Sequence, residues 1–235
     1  MQNQYYCSYL WEQGRRESNQ DSLALWQMSK GRRSRLFGIV CDGIGGLLEG
    51  ENASGYVTRQ AAAWFRTRGY KIKGNRKLRA ELCQLMFQLH EELREYGEGK
   101  GIQSGTTTTF FLVEKAGFFW GHTGDSRLYL LRKGKIRQLT TDHQEKNGAL
   151  NRAIGVGEWK PPDTGWKRMK NGDALLLCTD GFYRGLSKEE LCSCFQYEAA
   201  EEVQITRILK QIGERKLSMG ERDNLSALFC RRNKN

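Results

Sequence analysis

At 235 residues, with only 2 prolines, 38% hydrophobic and 28% charged residues, the chain has the make-up of one folded domain over residues 1–235 and excludes a disordered or collagen-like chain. No stretch is long and apolar enough to span a membrane, and the opening MQNQYYCSYLWEQGRRE lacks the basic-then-apolar pattern of a secretory leader, so a cytoplasmic protein is expected. Lys and Arg exceed Asp and Glu by 38 to 27, but the excess is scattered over KGRRSR, the stretch 59–79, RKGKIR and RRNK without interleaved aromatics, which describes a solvated basic surface rather than a specific nucleic-acid groove.

In chain order, YYCSYLW, SLALWQM and RLFGIVC have the aromatic and β-branched content of strands, with a turn at Lys30 and Gly31, and together predict a meander entering a sheet. Helical spacing follows from Glu51 to Arg68, and again from Asn75 to Tyr96, where Leu82, Leu85, Met86, Leu89 and Leu93 share a face. Strands return in TTTTFFLVEKAGFFWGH and RLYLLRKGKIRQLT, with turns at residues 115–117 and 133–134. A looser polar region around Pro161 and Pro162 precedes the strand DALLLCT, a short helix at 188–195, a longer one from Glu201 to Lys216, and the last strand LSALFC. Short turns rather than helical crossovers join the strands, so the expected class is α+β: two packed antiparallel sheets flanked by helices, an α-β-β-α sandwich. The 7 cysteines include no CxxC pair and mostly sit in apolar runs, as reduced core thiols do.

The chemistry lies where acids meet strand ends. Asp42 follows FGIVC, Asp125 follows FFWGHTG, Asp180 follows ALLLCT, and Asp223 precedes NLSALFC. Four carboxylates drawn into one cleft repel one another unless cations compensate them, and an oxygen-rich set without a His or Cys cluster favours Mg²⁺ or Mn²⁺ over Zn²⁺ or Cu²⁺. Taken singly, each Asp-Gly pair is an ordinary turn signal. DGIGGLLEGE lacks the GK[ST] ending of a phosphate-cradling nucleotide loop.

The motifs in order, RESNQD from Arg16, CDGIGGLLEGENAS, SGTTTTFF, GHTGDSRLYLL, LTTDHQ, LNRAIG, LLLCTDGF and RDNLSALF, resemble those of the metal-dependent serine/threonine protein phosphatases of type 2C in their bacterial form, over nearly the whole chain. The resemblance implies two divalent ions, Mn²⁺ or Mg²⁺, bridged by Asp42, with the Gly43 carbonyl on one and Asp180 and Asp223 on the other. It implies Asp125 as a ligand of a third, more labile ion, Asp21 and Gln20 as supports of the metal shell, and Arg16 as the phosphate-binding residue. The implied partner is a phosphorylated protein, a serine/threonine kinase or its targets, met by a monomer with neither a membrane nor a specific nucleic acid involved.

The chain also departs from the family. Ile44 stands where eukaryotic members carry a His proposed as general acid, Leu47 where bacterial relatives usually carry His, and Arg184 where they often carry Asp. Between TTDHQ and LNRAIG, where bacterial relatives place a longer helical flap, residues 144–150 form a short polar link, which implies a more open cleft. His90, His122 and His143 are expected to pack or to make structural hydrogen bonds. The competing expectation is a non-catalytic module of the same fold that binds a phosphorylated or acidic partner.

Overall fold

The structure is a computed structural model that describes residues 5–30, 33–44, 49–114, 117–195 and 202–233. Among the described residues, ten strands form two five-stranded antiparallel sheets. The first sheet runs β1 (Tyr5–Glu12), β10 (Leu225–Arg232), β9 (Ala174–Cys178), β6 (Arg127–Arg132), β7 (Lys135–Gln138). The second runs β2 (Asp21–Lys30), β3 (Arg33–Asp42), β4 (Thr108–Glu114), β5 (Gly117–Thr123), β8 (Asp163–Arg168). Helices α1 (Gly50–Thr67) and α2 (Asn75–Lys100) cover the second sheet; α3 (Asp180–Tyr183), α4 (Lys188–Cys194) and α5 (Glu202–Ser218) cover the first.

This layering explains why the central strands read as unbroken apolar runs. On β3, Leu36 and Val40 face the opposite sheet while Phe37, Ile39 and Cys41 face the helices; β4 divides Phe111 and Val113 from Phe110 and Leu112 in the same way. On β9, Leu175 and Leu177 point inward and Leu176 and Cys178 point to the helical side. Side chains alternate with period 2, so a strand buried on both faces must be apolar at every position. The inter-sheet layer is tight at Gly38, where a Cβ would lie 2.5 Å from both Leu228 and Phe111.

Helix ends follow their own chemistry. Ser187 and Glu190 close a reciprocal capping box on α4, and α2 stops at Gly101 in the left-handed conformation. The β6–β7 turn places Lys133 and Gly134 at φ of 51° and 68°, the geometry a two-residue hairpin of matching twist requires.

Three expectations change. The opening strands are not one meander: β2 and β3 pair as a hairpin, but β1 pairs with β10 in the other sheet, Tyr5 opposite Arg232 through Glu12 opposite Leu225. Local pattern carries no information about a partner more than two hundred residues away. The polar region after Pro161 and Pro162 is also not a loop throughout, since 163–168 forms edge strand β8 against β5. An edge strand with an exposed face, including a 43% exposed Trp166, need not be apolar. Helix α2 runs on to Lys100 rather than ending at Tyr96. Gly31, Leu47, the first residues of the 115–117 turn and the helix start at Glu201 lie outside the described residues. The described cysteines are free thiols, and no described helix is long and apolar enough to cross a membrane.

Candidate active site

One rim of the sandwich opens into a cleft of about 410 Å³ lined by Arg16, Gln20, Asp42, Gly43, Ile44, Asp125, Gly148, Leu150, Asp180, Arg184, Asp223 and Asn224. Every one of the four strand-end acids reaches it, from both sheets. Asp42 ends β3 and Asp125 follows β5; Asp180 opens the one-turn helix after β9, and Asp223 precedes β10.

Each acid is held by backbone geometry that the flanking residues dictate. The Asp42 N–H donates to the Thr107 hydroxyl at 3.0 Å, while its carbonyl accepts from the Thr107 N–H at 2.8 Å and the Thr106 hydroxyl at 2.9 Å. The polar run TTTT is therefore a clamp on the DGIGG strand end. Gly43 donates its N–H to the Gln20 carbonyl at 2.9 Å, and a Cβ there would meet the Gly50 carbonyl oxygen at 2.2 Å, so only glycine fits between these two backbones. Asp125 follows Gly124, whose φ of 108° makes the turn and whose N–H and carbonyl are both bonded to His143.

The Arg16 loop is tied down by Asn224. Its side-chain amide donates to the Gln13 and Ser18 carbonyls at 2.7 and 3.0 Å, and its oxygen accepts the Gln20 N–H at 2.9 Å. Arg16 then lies on Asp223, Nε to Oδ1 3.0 Å. Across the cleft Arg184 lies on Asp180, Nη2 to Oδ2 2.5 Å, and Gln144, in the short link, donates to Asp125. Asp21 sits behind the cleft, 3% exposed, accepting the Thr179 hydroxyl at 2.9 Å.

The electrostatics are those of an acid cluster short of positive charge. Burial, followed by repulsion from Asp21, Asp180, Asp125 and Asp223, pushes the Asp42 carboxyl well above the ordinary range. Burial likewise raises Asp21 to about 7 and Asp125 to about 6, with the neighbouring acids adding to it. Asp180 is raised by burial, against the pull of Arg184. Among the described residues no three His, Cys, Asp or Glu side chains are drawn together around one ion-sized point. Two of the four acids are instead turned onto arginines, and unlike-charged partners are what a repelling set takes up when left to itself.

The donor set nonetheless fits hard divalent cations. Its acids line an open cleft, carboxylate oxygens are the donors such ions prefer, and positive charge would relieve the carboxyls of Asp42 and Asp125, which burial and neighbouring acids raise. The histidines are committed elsewhere. His90 Nδ1 accepts the Gly155 N–H, His122 bridges Thr109 and the Thr141 carbonyl, and His143 joins Gly124 to Asp163.

The structure thus gathers Arg16, Gln20, Asp42, Gly43, Asp125, Asp180 and Asp223 at one cleft, with Asp21 behind it. Sequence reasoning assigned no role to Thr106, Thr107, Thr179, Gln144 and Asn224, and treated Arg184 only as a departure. Position next to a motif acid was the signal for Asn224 and Thr179, and Gln144 closes the LTTDHQ motif.

Known proteins resemble this chain in the same terms. A family model described as protein phosphatase 2C matches residues 13–217. The protein phosphatase PhpP of Streptococcus pneumoniae is 26% identical over 204 residues, covering 78% of this chain and 81% of that one. The serine/threonine phosphatase stp of Listeria welshimeri is 26% identical over 217 residues, covering 83% and 84%. In fold, the chain matches the Streptococcus agalactiae serine/threonine phosphatase at a TM-score of 0.84 with 22% identity, covering 97% of this chain and 100% of that one. It matches Stp1 of Staphylococcus aureus at 0.84 with 20% identity, covering 96% and 94%. With a family match over most of its length and the family's sandwich beneath its acid-lined rim, the chain belongs to the protein phosphatase 2C family.

Proposed function

We propose that the protein hydrolyses phosphoserine and phosphothreonine monoesters in proteins, as a Mn²⁺- or Mg²⁺-dependent phosphatase that attacks phosphorus with water and forms no phosphoenzyme. The observation that carries this reading is the convergence of Asp42, Asp125, Asp180 and Asp223 on one cleft beside Arg16. Two bound divalent ions would supply a water acidified toward neutral pH and a clamp for the phosphoryl oxygens. Asp42, the Gly43 carbonyl, Asp180 and Asp223 would hold them, and Asp125 would help to hold a third.

The chain's own groups do the rest. Arg16 leaves Asp223 to present a planar, permanently charged fork to the phosphoryl oxygens, whose charge is spread in the transition state. Asn224, by fixing the loop 13–20, sets the height from which that fork reaches. Asp21 and the Gln20 carbonyl hold the floor beneath Thr179 and Gly43, so that Asp180 and Asp42 keep their separation when charge enters. The short link, through Gly148 and Leu150, makes one wall of the cleft and leaves room for a protein segment. Ile44 offers no proton, so the leaving serine or threonine oxygen must take its proton from water or another group at the rim.

The test is phosphate release from a phosphothreonine peptide with and without Mn²⁺. The expected result is Mn²⁺-dependent release that Asp42→Ala abolishes; metal-independent release, or full activity in that variant, would overturn the reading. The second reading, a non-catalytic module for a phosphorylated or acidic partner, draws on the arginines that occupy Asp223 and Asp180. Calorimetric titration separates them, because the phosphatase takes up two or more Mn²⁺ ions per chain and the module takes up none.

A further inference from the structure

Arg184 is the least explained charge in the cleft. It follows the last residue of α3, with its backbone fixed at both ends: its N–H donates to the Asp180 carbonyl at 2.8 Å, and its own carbonyl accepts from Lys216. Its guanidinium, by contrast, is 53% exposed and, among the described residues, holds only Asp180. That leaves most of a five-donor fork uncommitted, on a residue that lines the same cleft as Arg16. Asp180 is one of the carboxylates that the phosphatase reading assigns to a metal, so guanidinium and metal compete for the same oxygen.

Both sides of the cleft are built alike. Arg16 rests on Asp223 and Arg184 on Asp180, each arginine roughly half exposed and each acid largely covered, at 26% and 11% exposure. An exposed guanidinium on a buried acid is a movable counter-charge: the acid stays in place, and the arginine can swing when a better anion arrives. A phosphate monoester carries nearly two charges and three acceptor oxygens, and planar bidentate recognition of such a group is what arginine supplies best.

Resting on the phosphatase reading, we propose that Arg184 is a second phosphate-binding residue, opposite Arg16, which covers Asp180 until metal and substrate displace it. Metal entering at Asp180 frees the fork for the phosphoryl group, and a phosphoryl group holding the fork frees Asp180 for metal. The two ligands therefore favour each other, and by linkage the coupling runs equally in both directions.

The experiment compares wild type, Arg184→Gln and Arg184→Lys by two readouts: KM and kcat on a phosphothreonine peptide at saturating Mn²⁺, and the Mn²⁺ dissociation constant from calorimetry without substrate. Arg184→Gln is expected to raise KM roughly tenfold, the effect of one lost charge-assisted contact, with a smaller change in kcat. It is also expected to bind Mn²⁺ severalfold more tightly, because Asp180 no longer carries a competing cation. Arg184→Lys, which keeps charge but not the fork, should recover only part of the KM and bind Mn²⁺ as wild type does. An unchanged KM, or Mn²⁺ bound no more tightly by Arg184→Gln, overturns the proposal. Should that variant fail to fold, the lysine variant decides, since a wild-type KM there excludes a role for the fork. A wild type that neither binds Mn²⁺ nor releases phosphate sinks the phosphatase reading and this proposal together, whereas an active wild type with unaltered variants sinks this proposal alone.

Discussion

Two polar clusters meet at the end of β5, where His143 is bonded to Gly124 beside Asp125, and they are built to opposite rules. The acid cleft is under-supplied with counter-charge: Asp42, Asp125 and Asp180 are raised by burial and by neighbouring acids, and its arginines are half in solvent. Next to it, the His122 and His143 rings stack at 4.7 Å, with burial driving His122 down to about 4 and lowering His143 as well. The imidazoles are neutral and their nitrogens are spoken for. His122 takes the Thr109 hydroxyl and gives to the Thr141 carbonyl, at 2.9 and 3.0 Å, while His143 takes the Gly124 N–H and meets Asp163. Buried polar groups with complete internal partners hold a fold together, whereas groups left wanting charge mark the place where a ligand completes the structure.

The largest break in that contrast comes from removing one acid of the cleft. Asp180→Asn keeps the shape and the Thr179 to Asp21 contact but takes away a charge that the metal needs. Hydrolysis of a simple aryl phosphate with Mn²⁺ should fall by about a hundredfold or more, the usual cost of losing a group that stabilises the transition state electrostatically. Thermal stability without metal should hold or rise, because a repelling charge has gone. An Asp180→Asn protein with wild-type turnover would place the chemistry elsewhere.

The second effect is a pH dependence whose sign differs between the clusters. In the metal-free protein, Asp21 near 7 and Asp125 near 6 bind protons that the unfolded chain has already lost near its ordinary pKa of about 4. Their contribution is therefore complete below about pH 4 and is lost as pH rises through 6 to 7. His122 works the other way: the unfolded imidazole takes a proton near 6.5 that the folded one refuses until about 4, so its contribution is present above 6.5 and disappears as pH falls toward 4. Mn²⁺ needs ionised carboxylates, so it should cancel the cleft's loss and leave that of the histidine. The gain in melting temperature on adding Mn²⁺ should grow steadily from pH 5.5 to 7.5. A gain that is flat or shrinks with pH would show that ions do not bind through these carboxyls.

The same contrast explains what was legible in the sequence. Asp42, Asp125, Asp180 and Asp223 were visible because each lies next to a strand-like run and because the motifs around them, each an ordinary turn signal when taken singly, recur in the order of a known family. The two-sheet sandwich was visible in the short turns between strands. The partner of β1 was not, since its pairing with β10 closes the chain on itself across almost its full length. Edge strand β8 was missed because a half-exposed strand has a mixed pattern, much like a loop. Gln144 reaches Asp125 across 19 positions, which local pattern does not reveal, whereas Arg184 stands four residues after Asp180, a spacing that brings the two together once residues 180–183 form a helical turn.

The smallest effect should come from the cluster that is already complete. His122→Phe preserves the ring and its stacking but leaves the Thr141 carbonyl without its imidazole donor, the loss of one partly buried hydrogen bond, worth about 0.5–1.5 kcal/mol. Denaturant unfolding at pH 7.5 should register that loss, and the acid limb between pH 6.5 and 4 should flatten because the titrating group has gone. Mn²⁺ affinity should stay at the wild-type value, since His122 reaches none of the acids at the rim. If instead His122→Phe weakens Mn²⁺ binding while leaving stability alone, the imidazole pair belongs to the cleft and not to the scaffold.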